Sequence, residues 1–219
     1  MSLHNLRFLP DIPTLKRLCQ SVAMLDAVLQ PEWGLRYFSF NSRWAEGEMM
    51  ASMRDGSGDG YFLLFNKAGA ILKGYAHETA MARHFVDTGK AWPGILDKVP
   101  ADFAGFLTEP AFSAQEATFC LWRTFSDHSW NSGAIDFPAG NDPDGSVDLL
   151  FVLDGKPRTY QSWAEEYYEC AVPLARVRQV YQHRPLTAAL VSGLNPDVSL
   201  DDLAEDITEI GYSSEAQVR

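Results

Sequence analysis

The sequence predicts an α+β fold in which an antiparallel sheet is packed by an N-terminal helix and a C-terminal helical layer. Three observations support this class: a leucine-rich helical period near the start, aromatic and aliphatic segments broken by glycine in the middle, and helical periodicity at the end. The 219 residues, 46% hydrophobic and 21% charged, have the composition of a globular protein. We expect one domain over 1–219, although a loop near residue 140 could separate a mixed part (1–138) from a helical part (146–219).

Apolar residues recur every three or four positions between Thr14 and Gln30, which predicts an amphipathic helix. Pro13 precedes the pattern and Pro31 follows it, so a helix-limiting residue stands at each end. The apolar face consists of Leu15, Leu18, Val22, Leu25 and Leu29. About two heptads are too short for a coiled coil, so we expect this face to pack inside the protein.

Three stretches predict the sheet, as two hairpins plus one further strand. LRYFSFN at 35–41 is the further strand, with Phe38 and Phe40 on one face. YFLLFN and AILKGY, within 61–75, form the first hairpin, and the unbroken apolar run YFLLF predicts a central strand. The second hairpin is expected from Thr118 to Ile135, where TFCLWRTF alternates between two faces.

Short helices are expected between residues 78 and 107, one of them in the motif VPADFAGFL at 99–107. This motif resembles the start of a helix in the SUKH immunity superfamily, small α+β proteins that neutralise bacterial toxins. The resemblance covers nine of the 219 residues and transfers no functional residue. It implies a binding role.

The C-terminal third predicts a helical layer that follows the loop AGNDPDG at 139–145. Tyr160 and Tyr167 lie on the apolar face of the first of these helices. Ser199 and Asp202 have the spacing of an acidic capping box, which indicates the start of the last helix.

Charge and cysteine content narrow the function classes. The net charge of −11 repels phosphate backbones, so we expect no direct nucleic-acid binding and a preference for basic partners. Cys19, Cys120 and Cys170 are widely spaced and odd in number, which indicates neither a disulfide framework nor a zinc site. No apolar stretch approaches the roughly 18 residues that span a bilayer. The expected location is the cytoplasm, with no membrane partner.

The segment DGSGDG places Asp55, Ser57 and Asp59 at alternate positions and closes them with Gly60, as in the first half of a calcium loop. Asn66 occupies the twelfth position, where a bidentate glutamate would complete the shell, and strands flank the loop instead of helices. An EF-hand is therefore excluded. A flexible acidic turn is the favoured interpretation, followed by partner contact or weak calcium binding, and no cofactor is otherwise expected.

Histidines supply the candidate catalytic groups. His77, Glu78 and His84 are near one another in the chain, but a zinc-protease helix needs histidines four residues apart. His77 and Glu78 could still form an acid–base or metal site, and His128, in a turn, could act as a general base. No nucleophile elbow or phosphate-binding glycine loop is present.

Acidic residues dominate the C-terminal tail, and Asp201, Asp202 and Glu205 are candidates for a docking surface. Trp44 and Trp130 lie near predicted turns and are candidate aromatic anchors. These features favour a non-catalytic protein that binds a basic protein partner, of immunity or inhibitor type. The alternative is a hydrolase-like enzyme with a cleft that includes His77 and Glu78, with or without a divalent metal.

Overall fold

The structure, a computed structural model, describes residues 9–215 and has a mixed α+β architecture built around a six-stranded antiparallel sheet. The strands are β1 (Phe38–Ala45), β2 (Glu48–Arg54), β3 (Gly60–Phe65), β4 (Gly69–Tyr75), β5 (Phe119–Thr124) and β6 (Asn131–Ser132). Each strand pairs with the next one along the chain. The predicted α+β class and both predicted hairpins are therefore confirmed.

One strand, β2, is missing from the sequence-based prediction. Its sequence EMMASMR lacks the β-branched and aromatic residues that mark strands, yet it pairs with β1 on one side and β3 on the other. Strand β2 also changes the place of the DGSGDG segment, which is the turn between β2 and β3.

Eight α-helices pack around the sheet within residues 9–215. They are α1 (Ile12–Leu29), α2 (Ala80–Thr88), α3 (Ala104–Thr108), α4 (Ser146–Leu149), α5 (Pro157–Tyr167), α6 (Leu174–Tyr181), α7 (Ala188–Ser192) and α8 (Ala204–Ile210). Helix α1 starts two residues before the predicted Thr14, because the Asp11 side chain accepts a hydrogen bond from the Thr14 amide at 2.9 Å and caps the helix. None of the helices in the described part of the chain combines the length and apolarity needed to cross a bilayer.

The sheet buries both of its faces. One face packs against α1 and the C-terminal helices, and its core includes Phe38, Phe40 and Leu63. The other face is covered by the segment from α2 to residue 117, through side chains such as Leu64 and Phe106. Burial on both sides explains why the sequence of β3 is apolar almost throughout.

A buried carboxylate joins α1, β1 and α5. Asp26 accepts hydrogen bonds from the amides of Tyr37 and Phe38, at 3.0 and 2.8 Å, and from the Tyr160 hydroxyl at 2.6 Å. Complete burial raises the pKa of Asp26 to about 6, although these hydrogen bonds oppose the shift. Asp26 thus ties the helical layer to the first strand.

Candidate functional site

Three chain segments meet at one end of the sheet. The register of β3 and β4 pairs Gly60 with Tyr75, so the 55–59 turn and the 76–79 segment lie at the same end. The 142–149 segment joins them there, because the Thr118 hydroxyl donates a 2.7 Å hydrogen bond to the Asp144 carbonyl and accepts one from the Ala76 amide.

The DGSGDG turn is held by its own first residue. Asp55 accepts hydrogen bonds from the backbone amides of Ser57, Gly58 and Asp59, at 2.8, 3.1 and 2.9 Å, and from the Ser57 hydroxyl. Partial burial acts to raise the pKa of Asp55, but the hydrogen bonds together hold it below its usual value. Asp55 and Ser57 are engaged with the turn, in the manner of an Asx turn.

Asp59, unlike Asp55, points away from the turn toward the end of β4. Its carboxylate accepts a 2.7 Å hydrogen bond from the His77 amide and lies 2.6 Å from the His77 Nδ1 atom. The hydrogen bond and charge of Asp59 raise the pKa of His77. The other ring nitrogen, Nε2, is 3.9 Å from Glu78 Oε1. The structure therefore brings together His77, Glu78 and the acidic turn.

A pocket of about 250 Å³, which we call the acidic pocket, opens beside this pair. Asp59, Glu78, Asp142 and Asp148 contribute its carboxylates, and no lysine or arginine among residues 9–215 lines it. The Asp142 carboxylate also accepts hydrogen bonds from the first amides of α4, at 3.0 Å from Val147 and 3.3 Å from Asp148. These bonds hold the 142–149 wall in place.

Asp144 lies buried behind the acidic pocket. Its Oδ1 atom accepts hydrogen bonds from the Ser146 amide and hydroxyl, at 3.0 and 2.8 Å. Burial raises the pKa of Asp144, and the neighbouring Asp142 carboxyl raises it further. The two hydrogen bonds from Ser146 act in the opposite direction and lower this pKa.

Sequence reasoning identified Asp59 and Glu78 but missed Asp142 and Asp148. The run NDPDG indicated only a loop, and nothing local shows which surface that loop covers. The one local hint in the sequence was the glycine that ends NDPDG, because glycine often marks a close approach of two segments. In the structure Gly145 has φ of +76°, and a Cβ there would lie 2.1 Å from the Ala76 Cβ.

The other candidate catalytic residue, His128, lies at the opposite end of the sheet. Gly69, the first residue of β4, pairs with Thr124, so the β5–β6 turn lies near the start of β4. His77 follows the other end of that strand. Among residues 9–215 no group of three or more histidine, cysteine, aspartate or glutamate side chains is arranged to hold a metal ion. The buried thiols are also unreactive, since burial raises the pKa of Cys120 to about 12 and that of Cys19 further.

The expectation that Trp130 is exposed is wrong. Its side chain is buried in the core, and its indole N–H donates a 2.8 Å hydrogen bond to the Pro10 carbonyl. A position next to a turn indicated exposure, but the indole reaches inward to the residue that precedes the cap of α1. Trp44 is half-buried, and its ring packs 5.5 Å from that of Phe112.

Asp201, Asp202 and Glu205, the candidate docking residues, are exposed at and just before the start of α8. Asp202 accepts hydrogen bonds from the Ser199 amide and hydroxyl, at 2.9 and 2.6 Å, and these bonds lower its pKa. The hydrogen bonds of the predicted box are therefore present, but they close the turn before α8. The helix itself starts later, at Ala204, with Leu203 as its N-cap and no side-chain cap, so the predicted helix start is wrong. Glu205 shares a shallow depression with Arg43 of β1, so a cation lies within this second acidic surface.

No family model matches this chain, and no match was found among curated proteins or solved structures.

Proposed function

We propose that the protein binds a basic protein partner in the cytoplasm without catalysing a reaction, as an immunity or inhibitor-type protein does. The observation that carries the proposal is the acidic pocket of about 250 Å³, which Asp59, Glu78, Asp142 and Asp148 line and to which the described part of the chain adds no lysine or arginine. A lysine or arginine side chain of a partner matches this pocket in charge. The net charge of −11 adds long-range attraction for the same partner.

Two of the pocket residues can be changed without removing a side-chain hydrogen bond that is found within residues 9–215. The Glu78 side chain is 89% exposed and its nearest charged partner is His77, at 3.9 Å. The Asp148 carboxylate is exposed, and no hydrogen bond to it is found within residues 9–215. Asp59 and Asp142 are less suitable for substitution because both hold backbone amides.

The experiment compares two charge-reversed variants. Cross-linking and affinity capture with the wild-type protein identify the partner, and binding of the purified partner is then measured against salt concentration. We expect Glu78→Lys/Asp148→Lys to weaken binding by about tenfold or more and to reduce its salt dependence. Asp201→Lys/Glu205→Lys carries the same charge change on the α8 surface and is expected to have a smaller effect.

Two outcomes would count against the proposal. If the captured partner is neutral or acidic, and if its affinity ignores salt and both reversals, the protein does not act through its acidic surface. If only the Asp201→Lys/Glu205→Lys variant loses binding, the docking surface is the one at α8 and the acidic pocket is not used.

The second candidate function, a hydrolase-like enzyme, is favoured by one observation. Asp59 orients the His77 ring through Nδ1, and the Nε2 atom of such a pair can accept a proton from water. The test is a screen of model esters and phosphate esters with wild-type protein and His77→Asn. Turnover that disappears in the variant while the melting temperature is retained supports hydrolysis, and equal turnover in both proteins rejects it.

A further inference from the structure

A second cleft, which we call the lysine cleft, lies beside the acidic pocket. Its volume is about 350 Å³, and it opens between the 56–60 turn and the short 3₁₀ helix Ala114–Glu116. Residues on its surface include Gly60, Phe62, Lys73, Tyr75, Ser113 and Glu116. Among residues 9–215 the cleft shares only Asp59 with the acidic pocket, so its chemistry is separate from the proposed function.

Lys73 is the unusual residue of this cleft. It belongs to β4 in the interior of the sheet, where its neighbours in register are Phe62 and Cys120, and it is only 4% exposed. Its Nζ atom lies 5.9 Å from the centre of the Phe62 ring. No hydrogen bond or ion pair of this amine is found within residues 9–215. A buried cation without such partners is costly, and methionine or leucine would fit a sheet interior without that cost.

Burial lowers the pKa of Lys73, and the Glu116 carboxylate and Cys120 act in the opposite direction. The lowered pKa enlarges the neutral fraction of this amine near pH 7. The remaining titratable or charged groups that line the cleft are Arg54, Asp59, Tyr61 and Tyr75. Arg54 is engaged elsewhere, since its guanidinium donates to the Trp33 carbonyl at 2.7 Å and stacks 3.9 Å from the Trp33 ring.

The lining also narrows the class of ligand. Asp59 and Glu116 line the same cleft, so an anion would meet like charge beside the lysine. The aromatic rings of Phe62 and Tyr75 supply an apolar surface for the carbon skeleton of a ligand. A small uncharged electrophile fits this combination better than a phosphate or a carboxylate.

We propose that Lys73 is a covalent carbonyl-binding site, which takes a small neutral aldehyde or ketone from the lysine cleft. The neutral amine nitrogen adds to the carbonyl carbon, and one of the two amine protons passes to the carbonyl oxygen. The resulting carbinolamine loses its hydroxyl group and the remaining N–H proton as one water molecule, and a carbon–nitrogen double bond remains. The product is an imine that can be hydrolysed back to lysine and carbonyl compound.

The test is reductive trapping with benzaldehyde and cyanoborohydride at pH 7, followed by mass spectrometry of the peptides. Cyanoborohydride delivers a hydride to the imine carbon and so converts the imine into a stable secondary amine. The other lysines serve as internal controls, because all of them are more exposed: Lys16, Lys67, Lys90, Lys98 and Lys156. We expect Lys73 to be labelled about fivefold or more faster than their median, and to keep its reactivity to lower pH than they do.

Two variants separate a nucleophilic role from a structural one. Lys73→Arg keeps the charge but cannot form an imine, and Lys73→Met removes both and fills the site. Both are expected to lose the preferential label while the exposed lysines react as before, and cooperative melting shows that each variant is folded. Labelling that spreads over the exposed lysines and spares Lys73 in the wild-type protein would overturn the proposal. A denatured sample, in which all lysines react alike, shows whether any preference depends on the fold.

Discussion

At the scale of single residues, the most consequential group is the buried Asp26 carboxyl. Its two oxygens accept three hydrogen bonds from β1 and α5, so the group is well satisfied when charged. Burial nevertheless raises its pKa to about 6, from an ordinary value of 3.8. The folded state therefore holds a proton on Asp26 at pH values where the unfolded chain has released it.

We predict that Asp26 makes the protein more stable in mild acid than at neutral pH. A raised folded-state pKa contributes stability that is fully present below pH 3.8 and is lost as the pH rises through about 6. The Asp26 contribution at pH 4.5 should exceed that at pH 7 by about 2 kcal/mol. Urea unfolding of the wild type and of Asp26→Asn across this range measures the difference.

The asparagine variant is the control because it keeps the shape. Its carbonyl can accept from the Tyr37 and Phe38 amides, and its amide can donate to the Tyr160 hydroxyl oxygen. If both proteins show the same change in unfolding free energy between pH 4.5 and pH 7, Asp26 does not titrate in this range.

At the scale of elements, helix α8 is fastened to the start of the sheet by one ion pair. Arg36 is 7% exposed, and its guanidinium forms two hydrogen bonds with the Asp206 carboxylate. The same guanidinium donates to the carbonyls of Gln30 and Pro31, each at 2.8 Å. Neither residue stands out in the sequence, because the partners are distant in the chain.

We expect Asp206→Ala to destabilise the protein by about 3 kcal/mol, because it leaves a buried guanidinium without its carboxylate. The neighbouring Glu205→Ala removes an exposed carboxylate of the same helix and should change stability by less than about 0.5 kcal/mol. Chemical denaturation of the wild type and both variants measures these changes in the free energy of unfolding. Equal effects would mean that the Arg36 pair adds nothing beyond surface charge.

The docking of α4 on the end of β4 depends on Gly145. We expect Gly145→Ala to cost about 3 kcal/mol or more, since the added methyl group combines positive-φ strain with a clash against Ala76. Gly155 has a similar φ of +73° but open space around it, so Gly155→Ala should show the strain alone, about 1 kcal/mol. The difference between the two melting curves measures how tightly the 142–149 segment is packed.

At the scale of the whole molecule, the excess of acidic residues acts as a repulsive field. We predict that raising sodium chloride from about 20 to 200 mM increases the melting temperature by a few degrees, because salt screens this repulsion. In Asp201→Lys/Glu205→Lys, the net charge of −11 becomes −7, since each reversal removes a negative charge and adds a positive one. The rise in melting temperature should be smaller in that variant. An equal rise in both proteins would mean that salt stabilises the protein by a mechanism other than screening.

Much of the fold was predictable because its signals are local. The helical period of α1, the alternation in β5 and the Ser199–Asp202 hydrogen bonds each depend on residues within a few positions of one another. Strand β2 was missed for a different reason: its methionine-rich sequence has weak strand propensity, and pairing on both sides overrides that propensity. Trp130 was misjudged because closeness to a turn says nothing about what packs over it.

The sequence by itself determined the fold class, most of the elements and the acidic character of the protein, because propensity, periodicity and charge are properties of neighbouring residues. Only the tertiary structure decided which of those residues meet. The Asp59–His77 pair, the acidic pocket and the lysine cleft all arise where segments distant in the chain come together. Burial and long-range contact set their chemistry, and neither is encoded in the spacing of any single motif.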